Sequence, residues 1–249
     1  MGKLLNKFSK FCQWFLLTSS IKTSLKLLGK SNGQEINFQF HGNDLFLRKN
    51  EADLAVFESV FQHKHHRSVV KLFNDYYVIV DLGSNIGLTL IDYAEEYKNA
   101  KIYGVELDFD NYEIAKKNIN SFRNIFLINA GIWNEDGWVH YEGKDPQSFA
   151  ISDSAIGTKV PSITMTSLIK KFGLKKIDYL KMDIEGAEYQ IFKKDIDWLY
   201  LVECLNIEIH DTIEIKKEDG ISIISEILKG KGFNVFTNSN HWSSISAYK

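Results

Sequence analysis

Val80-Asp81-Leu82-Gly83-Ser84-Asn85-Ile86-Gly87 is an acid followed by a Gly-x-x-x-Gly turn, set between an apolar β-rich run and a helical pattern. Such a turn brings backbone N–H groups and a helix N-terminus close to a ligand. A second segment, Lys181-Met182-Asp183-Ile184-Glu185-Gly186-Ala187-Glu188, has the same setting and delivers further carboxylates and a glycine. Ligands of open α/β sheets sit at the carboxyl ends of strands, so both segments are expected at one sheet edge. The pair points to a cofactor-binding enzyme rather than a scaffold.

The spacing of the turn narrows the ligand. Dinucleotide sites use Gly-x-Gly-x-x-Gly, whose second glycine lets a pyrophosphate approach the backbone. Here Asn85 takes that glycine's place, and no other strand end is glycine-rich. An acid ahead of Gly-x-x-x-Gly suits a ligand with an amino group and a carboxylate but no phosphate, such as the methionine part of S-adenosylmethionine. The next strand, Lys101-Ile102-Tyr103-Gly104-Val105-Glu106, ends in an acid 23 residues after Gly83. Nucleoside-binding α/β folds place a ribose-binding carboxylate at about this offset.

Working outward, Tyr76–Asp81, Lys101–Glu106, Asn124–Leu127, Ile177–Asp183 and Leu201–Ile209 are predicted strands. Residues 87–98, 109–121, 187–194 and about 219–231 are predicted helices. This alternation implies right-handed crossovers and a parallel sheet. Phe233–Phe236 and Ser243–Tyr248, joined by Thr237-Asn238-Ser239-Asn240, read as a terminal hairpin. Upstream, Glu35–Phe40 and Leu45–Arg48 around His41-Gly42-Asn43-Asp44 read as another. Asn50 caps a predicted helix running to about Phe61, with Asp53 in its first turn.

Four segments carry a family resemblance: Asp81–Gly87, Gly104-Val105-Glu106, Asn129-Ala130-Gly131-Ile132 and, above all, Ile177-Asp178-Tyr179-Leu180 continuing into Lys181–Glu188. Together they resemble the FkbM-type S-adenosylmethionine-dependent methyltransferases, a Rossmann-like class I group dominated by O-methyltransferases. Leu47–Asp53 with Phe57 and Phe61 resembles the segment leading into that family's domain. The resemblance covers roughly residues 45–215. It implies a seven-stranded, mostly parallel sheet with helices on both faces, its terminal hairpin supplying the antiparallel last strand. The methyltransferase domain is then 76–249, after a basic helical segment, 1–34, and a hairpin-and-helix segment, 35–75. The implied cofactor site comprises Asp81, Gly83, Ser84, Asn85, Gly87, Glu106, Leu107, Asn129, Ala130 and Asp183, with Asn129 on the adenine edge.

Methylating an aliphatic hydroxyl requires in-line alignment and either a general base or a Lewis-acidic metal. Asp183 is the first candidate for either role; binding the cofactor's ammonium group is its alternative. Along Asn206-Ile207-Glu208-Ile209-His210-Asp211 the period of two puts Asn206, Glu208 and His210 on one face. If that strand neighbours the Asp183 strand, Asp183, Glu208 and His210 converge as a metal-ligand set suited to Mn²⁺ or Mg²⁺. Glu208 has the alternative of being a buried, hydrogen-bonded acid. Without a metal, His210 is the better general base, with an unperturbed pKa of about 6.5. Glu188 and Glu185 have the alternative of merely favouring a helix N-terminus. The expected activity is O-methylation, with a sugar or nucleotide-activated sugar for surface polysaccharide as the favoured acceptor. Methylation of an amine or another small molecule is an alternative, as is a non-catalytic, cofactor-retaining assembly subunit.

The chain's 249 residues suffice for one large α/β domain with an extension. A net charge of −2 leaves no overall nucleic-acid footprint. Cys12 and Cys204 lack metal or disulfide spacing. No apolar stretch approaches the roughly 18 residues of a spanning helix, and a cytoplasmic location is expected. The first 34 residues carry six lysines and no acid, a charge of +6 that leaves −8 on the rest. There Leu4, Leu5, Phe8, Phe11, Cys12, Phe15 and Leu16 recur at helical spacing. A membrane-surface helix over residues 1–30 is one reading; packing on the catalytic domain or on a second subunit of a homodimer is the other. His63-Lys64-His65-His66-Arg67 reads as a solvated helix end or as a contact for substrate phosphates. Residues 134–160, with Gly137, Gly143, Pro146 and Gly157, are expected to form a substrate-binding loop or lid.

Overall fold

A computed structural model describes residues 2–28, 33–67, 78–142, 150–152, 157–212, 214–237 and 244–249. Helices α1 (Gly2–Thr18) and α2 (Ile21–Leu27) precede a hairpin of β1 (Glu35–Phe40) and β2 (Asn43–Arg48). The hairpin turns on two residues, His41 and Gly42, rather than the expected four, because both adopt positive φ (49° and 83°). Ile36, Phe38 and Phe40 point inward and the residues between them outward. Helix α3 (Glu51–Glu58) is capped by Asn50, whose side chain accepts from the Asp53 N–H at 2.7 Å. A π-helical turn, Ser59–His63, continues it and ends at Lys64 in the left-handed conformation.

The basic cluster after this turn divides. His63, Lys64 and His65 are exposed, whereas His66 is buried and Arg67 half-buried. His66 Nε2 and Arg67 Nε both lie 2.7 Å from Asp92 Oδ2. That pairing corrects both expected readings for His66 and Arg67: they tie the lead-in segment to the domain.

The domain then runs β3 (Val78–Leu82), α4 (Leu88–Glu96), β4 (Lys101–Glu106), α5 (Phe109–Asn118), β5 (Ile125–Asn129) and β6 (Gly131–Ile132). β7 (Gly137–Glu142), β8 (Ala150–Ser152), β9 (Thr158–Ile163), α6 (Met165–Phe172), β10 (Ile177–Met182) and α7 (Glu188–Ile191) follow. A 3₁₀ turn (Ile196–Leu201), β11 (Val202–Glu208), α8 (Lys217–Gly230), β12 (Asn234–Thr237) and β13 (Ser244–Tyr248) complete it. Tyr76 and the hairpin residues Asn238–Asn240 lie outside the described residues.

Seven strands form the central sheet in the order β12-β13-β11-β10-β3-β4-β5. Every neighbouring pair is parallel except the two that involve β13, which inserts between β12 and β11. The chain winds outward from β3 through β4 and β5, then returns to β10 on the other side of β3. That reversal is a topological switch, the point where such sheets bind ligands. Period-two alternation builds a core on each face. Ile79, Ile102, Ile125 and Tyr179 pack with α4, α5 and the N-terminal segment. Val80, Leu82, Val105, Leu180 and Met182 pack with α6 and α8.

Part of the expected loop over 134–160 is regular. Its described residues form strands of a second sheet, ordered β6-β9-β7-β8, and none of them lines the cleft at the switch point. Val139, Tyr141 and Val160 bury a small core with Trp133 and Ala187, packed against Leu107 and Ile184 of the cleft wall, which gives the described part of the segment a packing role that turn residues alone did not reveal. Residues 143–149 and 153–156 lie outside the described residues.

Candidate active site

The two motifs meet through strand pairing. β10 lies beside β3 with Lys181 opposite Asp81, and beside β11 with Lys181 opposite Asn206. These three residues therefore share one row and one face of the sheet. Lys181 is 7% exposed and Asp81 fully buried. The Lys181 Nζ stands 3.3 Å from Asp81 Oδ1, 3.3 Å from Asp183 Oδ2 and 3.1 Å from the Gly83 carbonyl. Burial opposes the charged ammonium, but Asp81 and Asp183 more than offset it and raise the Lys181 pKa. Asp81 also accepts from the Thr89 hydroxyl. It does not line the cleft; it anchors the lysine beneath the glycine turn.

The turn itself is shaped by backbone geometry. Gly83 adopts φ 81°, and a Cβ there would stand 1.7 Å from the Asp183 carbonyl oxygen. Only glycine lets the β3 turn lie against the end of β10. Asn85 occupies the left-handed region (φ 48°), and its N–H donates to Glu106 Oε2 at 2.6 Å. Gly87, at φ 79°, opens α4 and brings it against Ala115 on α5.

Glu106 closes the other wall. It is 5% exposed, and its second oxygen accepts from the Asp108 N–H at 2.8 Å. Burial pushes its pKa up to about 7, although both backbone N–H groups pull the other way. Asn129 departs from its expected place on the adenine edge. Its Nδ2 donates to the carbonyls of Glu106 and Leu107, at 2.9 and 2.8 Å, and thereby fixes the wall from behind. Of the expected cofactor residues, Gly83, Ser84, Asn85, Glu106, Leu107, Ala130 and Asp183 line the cleft; Asp81, Gly87 and Asn129 support it.

Beyond the ends of β10 and β11, four carboxylates surround one imidazole. His210 Nδ1 lies 2.9 Å from Glu188 Oε1. His210 Nε2 faces Glu185 at 3.5 Å, and Asp183 and Glu208 at 3.8 Å each. Burial pulls the His210 pKa down, but Glu188, Asp183 and Glu185 override it and raise it to about 10. His210 is therefore an imidazolium at neutral pH and has no lone pair to accept a proton. This corrects its expected role as general base. Nor does it line the cleft; Asp183, Glu185 and Glu208 do. Glu185 is pushed up to about 7 by burial and by the neighbouring carboxylates, against the pull of His210.

Among the described residues, the group that can hold a metal is Asp183, Glu185 and His210, with one ligand atom from each within 4.8 Å of the others. The expected set had Glu208 in place of Glu185. Glu185 enters because its positive φ (54°) folds the turn back toward His210, a conformation the sequence does not disclose. Lys181 was also missed as a site residue, although a lysine inside Ile-Asp-Tyr-Leu-Lys-Met is a legible signal for a buried, paired charge.

A family model described as the methyltransferase FkbM domain matches residues 81–235. Methyltransferase sdnD of Sordaria araneosa is 22% identical over 204 residues, 66% of this chain and 76% of that protein. Among solved structures, the Methanococcus jannaschii fibrillarin pre-rRNA processing protein aligns with a TM-score of 0.48 at 13% identity, covering 88% of this chain and 83% of its own. Precorrin-6y C5,15-methyltransferase from Geobacter metallireducens aligns at 0.43 and 15% identity, covering 72% and 83%. Because the family match spans most of the chain, including both motifs and the strands between them, this protein belongs to the FkbM family of S-adenosylmethionine-dependent methyltransferases.

Proposed function

We propose that the protein methylates a hydroxyl of a sugar-like acceptor, and that a nucleotide-activated sugar for surface polysaccharide is that acceptor. The reading rests on Asp183, Glu185 and Glu208 standing together in the cleft wall at the ends of β10 and β11. Carboxylates accept hydrogen bonds from hydroxyl groups, and a polyhydroxylated acceptor offers several such donors. His65 in the cleft wall, with exposed His63 and Lys64 beside it, supports a phosphate-bearing acceptor.

The residues present fit S-adenosylmethionine. Leu107, Ala130 and Ile132 provide apolar walls beside Glu106. Each Glu106 oxygen already accepts one backbone N–H and retains a lone pair for a ribose hydroxyl. The carboxylate-rich end of the cleft favours a ligand that carries a sulfonium and an ammonium.

S-adenosylmethionine supplies a methyl group already activated by its positive sulfur. An acceptor oxygen lone pair forms the new O–C bond, the C–S electron pair stays on sulfur, and the hydroxyl proton must leave. Asp183 accepts that proton: it lines the cleft, and Lys181 holds its carboxylate in place. His210, already protonated, orients the neighbouring carboxylates instead. Where a divalent ion binds, Asp183, Glu185 and His210 hold it, and it supplies Lewis-acid activation of the hydroxyl. Glu188 then orients His210 from behind, as outer carboxylates do for ligating histidines.

Incubation with labelled methyl donor and a panel of sugar nucleotides, followed by mass spectrometry, tests the reading. A methyl ether on a sugar ring is the expected product. Methylation confined to amines would overturn it.

A further inference from the structure

Helix α1 turns its apolar stripe away from its own domain. Trp14 is 2% exposed and packs on Phe57, with ring centroids 5.9 Å apart, and Leu17 adds to the same core. On the opposite side of the helix, within an arc of about 100°, Leu5, Phe8, Phe15 and Leu16 are 40–82% exposed. Helix α2 adds Ile21 and Leu25 at 61% and 60%. Residues 5–10 are exposed on every side, so the first half of α1 projects from the body. A helix with a wide apolar stripe ordinarily buries that stripe against its own domain, and contiguous exposed patches of this kind mark interaction surfaces.

Charge selects the partner. The first 34 residues carry +6 with no acid, while the remainder of the chain carries −8. Lys7 and Lys10 are exposed on the side of α1 opposite the stripe, and Lys22 is exposed on α2 beside Ile21. We infer that α1 and α2 dock this enzyme on an anionic membrane surface, apolar stripe inward, with the excess of lysines held by the negative surface potential of the lipid phosphates. The dock reaches the cleft through one element. Trp14 rests on α3, and Gln13 Nε2 donates to Gln62 Oε1 at 2.9 Å in the turn that follows. Val56, Ser59 and Val60 of that same helical segment line the cleft. A docked protein therefore holds this wall of its active site close to the membrane surface.

Sedimentation of the 249-residue chain with lipid vesicles tests the inference. Binding is expected to vesicles containing phosphatidylglycerol, to weaken in high salt, and to be absent with pure phosphatidylcholine. Lys7→Glu with Lys10→Glu should lower partitioning by tenfold or more, at about fivefold per lysine even before charge reversal. Phe8→Ser with Leu16→Ser should abolish it while melting temperature and cofactor affinity stay at wild-type values. Wild-type protein remaining in the supernatant with phosphatidylglycerol vesicles would overturn the inference. So would a wild-type dimer that Phe8→Ser with Leu16→Ser converts to monomer, since a second copy would then cover the stripe.

Discussion

The Glu188 carboxylate, 1% exposed, lies 2.9 Å from His210 Nδ1 and holds that ring so that Nε2 faces Glu185, Asp183 and Glu208. The same oxygen accepts from the N–H groups of Ile184 and Gly186, at 3.3 and 3.2 Å. One buried carboxylate therefore shapes the turn after β10 and sets the charge of the histidine behind the cleft.

Glu188→Gln should retain the fold of the turn, because an amide oxygen still accepts those N–H groups, but should let the His210 pKa fall well below about 10. NMR titration of the imidazole ring reads this directly, and an unchanged titration would assign the shift to the other carboxylates. The sign for stability follows from the raised value. His210 contributes fully below its ordinary pKa of about 6.5, and the contribution is lost as pH climbs toward about 10. The melting temperature of the wild type should fall across that window more steeply than that of His210→Gln.

Loss of the Glu106 carboxylate removes the anchor of the Asn85 and Asp108 N–H groups and, on the proposed function, two acceptors for ribose hydroxyls. Glu106→Ala should weaken S-adenosylmethionine binding by about 1–3 kcal/mol. Because burial raises this acid to about 7, wild-type affinity should decline as pH drops below that value and the carboxylate takes up a proton. Calorimetry at pH values on either side of about 7 measures both effects. An affinity indifferent to the substitution would move the ribose elsewhere.

Manganese titrated into the protein must displace the proton that His210 holds up to about 10. Binding should therefore tighten with rising pH and release protons, which calorimetry in buffers of different ionisation enthalpy counts. Asp183→Asn and Glu185→Gln should each weaken the metal strongly, and excess chelator should abolish turnover. Undiminished turnover in chelator, with no heat of manganese binding, would leave Asp183 as a metal-free proton acceptor.

A methyl group at position 83 meets backbone rather than a movable side chain, and φ 81° strains any residue but glycine. Gly83→Ala should therefore cost about 2–4 kcal/mol of stability, combining backbone strain with overpacking. Chemical denaturation checks the value, and wild-type stability would show that the end of β10 shifts freely.

Local patterns sufficed for the strand ends. Apolar runs that stop at Asp81, Glu106 and Asp183 are written in consecutive residues, and the alternation of strand and helix leaves few ways to stack them. The strand ends, the glycine turn and the Asn50 cap were legible for that reason. Four features depend on contacts between residues far apart in the chain. His66 and Asp92 are 26 positions apart and form an internal pair where the sequence offers only a basic cluster. The described residues of 134–160 join a small sheet because β9 pairs with β6 and β7, a choice made by registers that turn residues do not encode. Asn129 turns onto the carbonyls of Glu106 and Leu107, because β5 pairs with β4 at Glu106 and Asn129. His210 becomes a cation instead of a base because tertiary folding gathers four carboxylates around it. A pKa is set by distances through space, and spacing along the chain does not contain them.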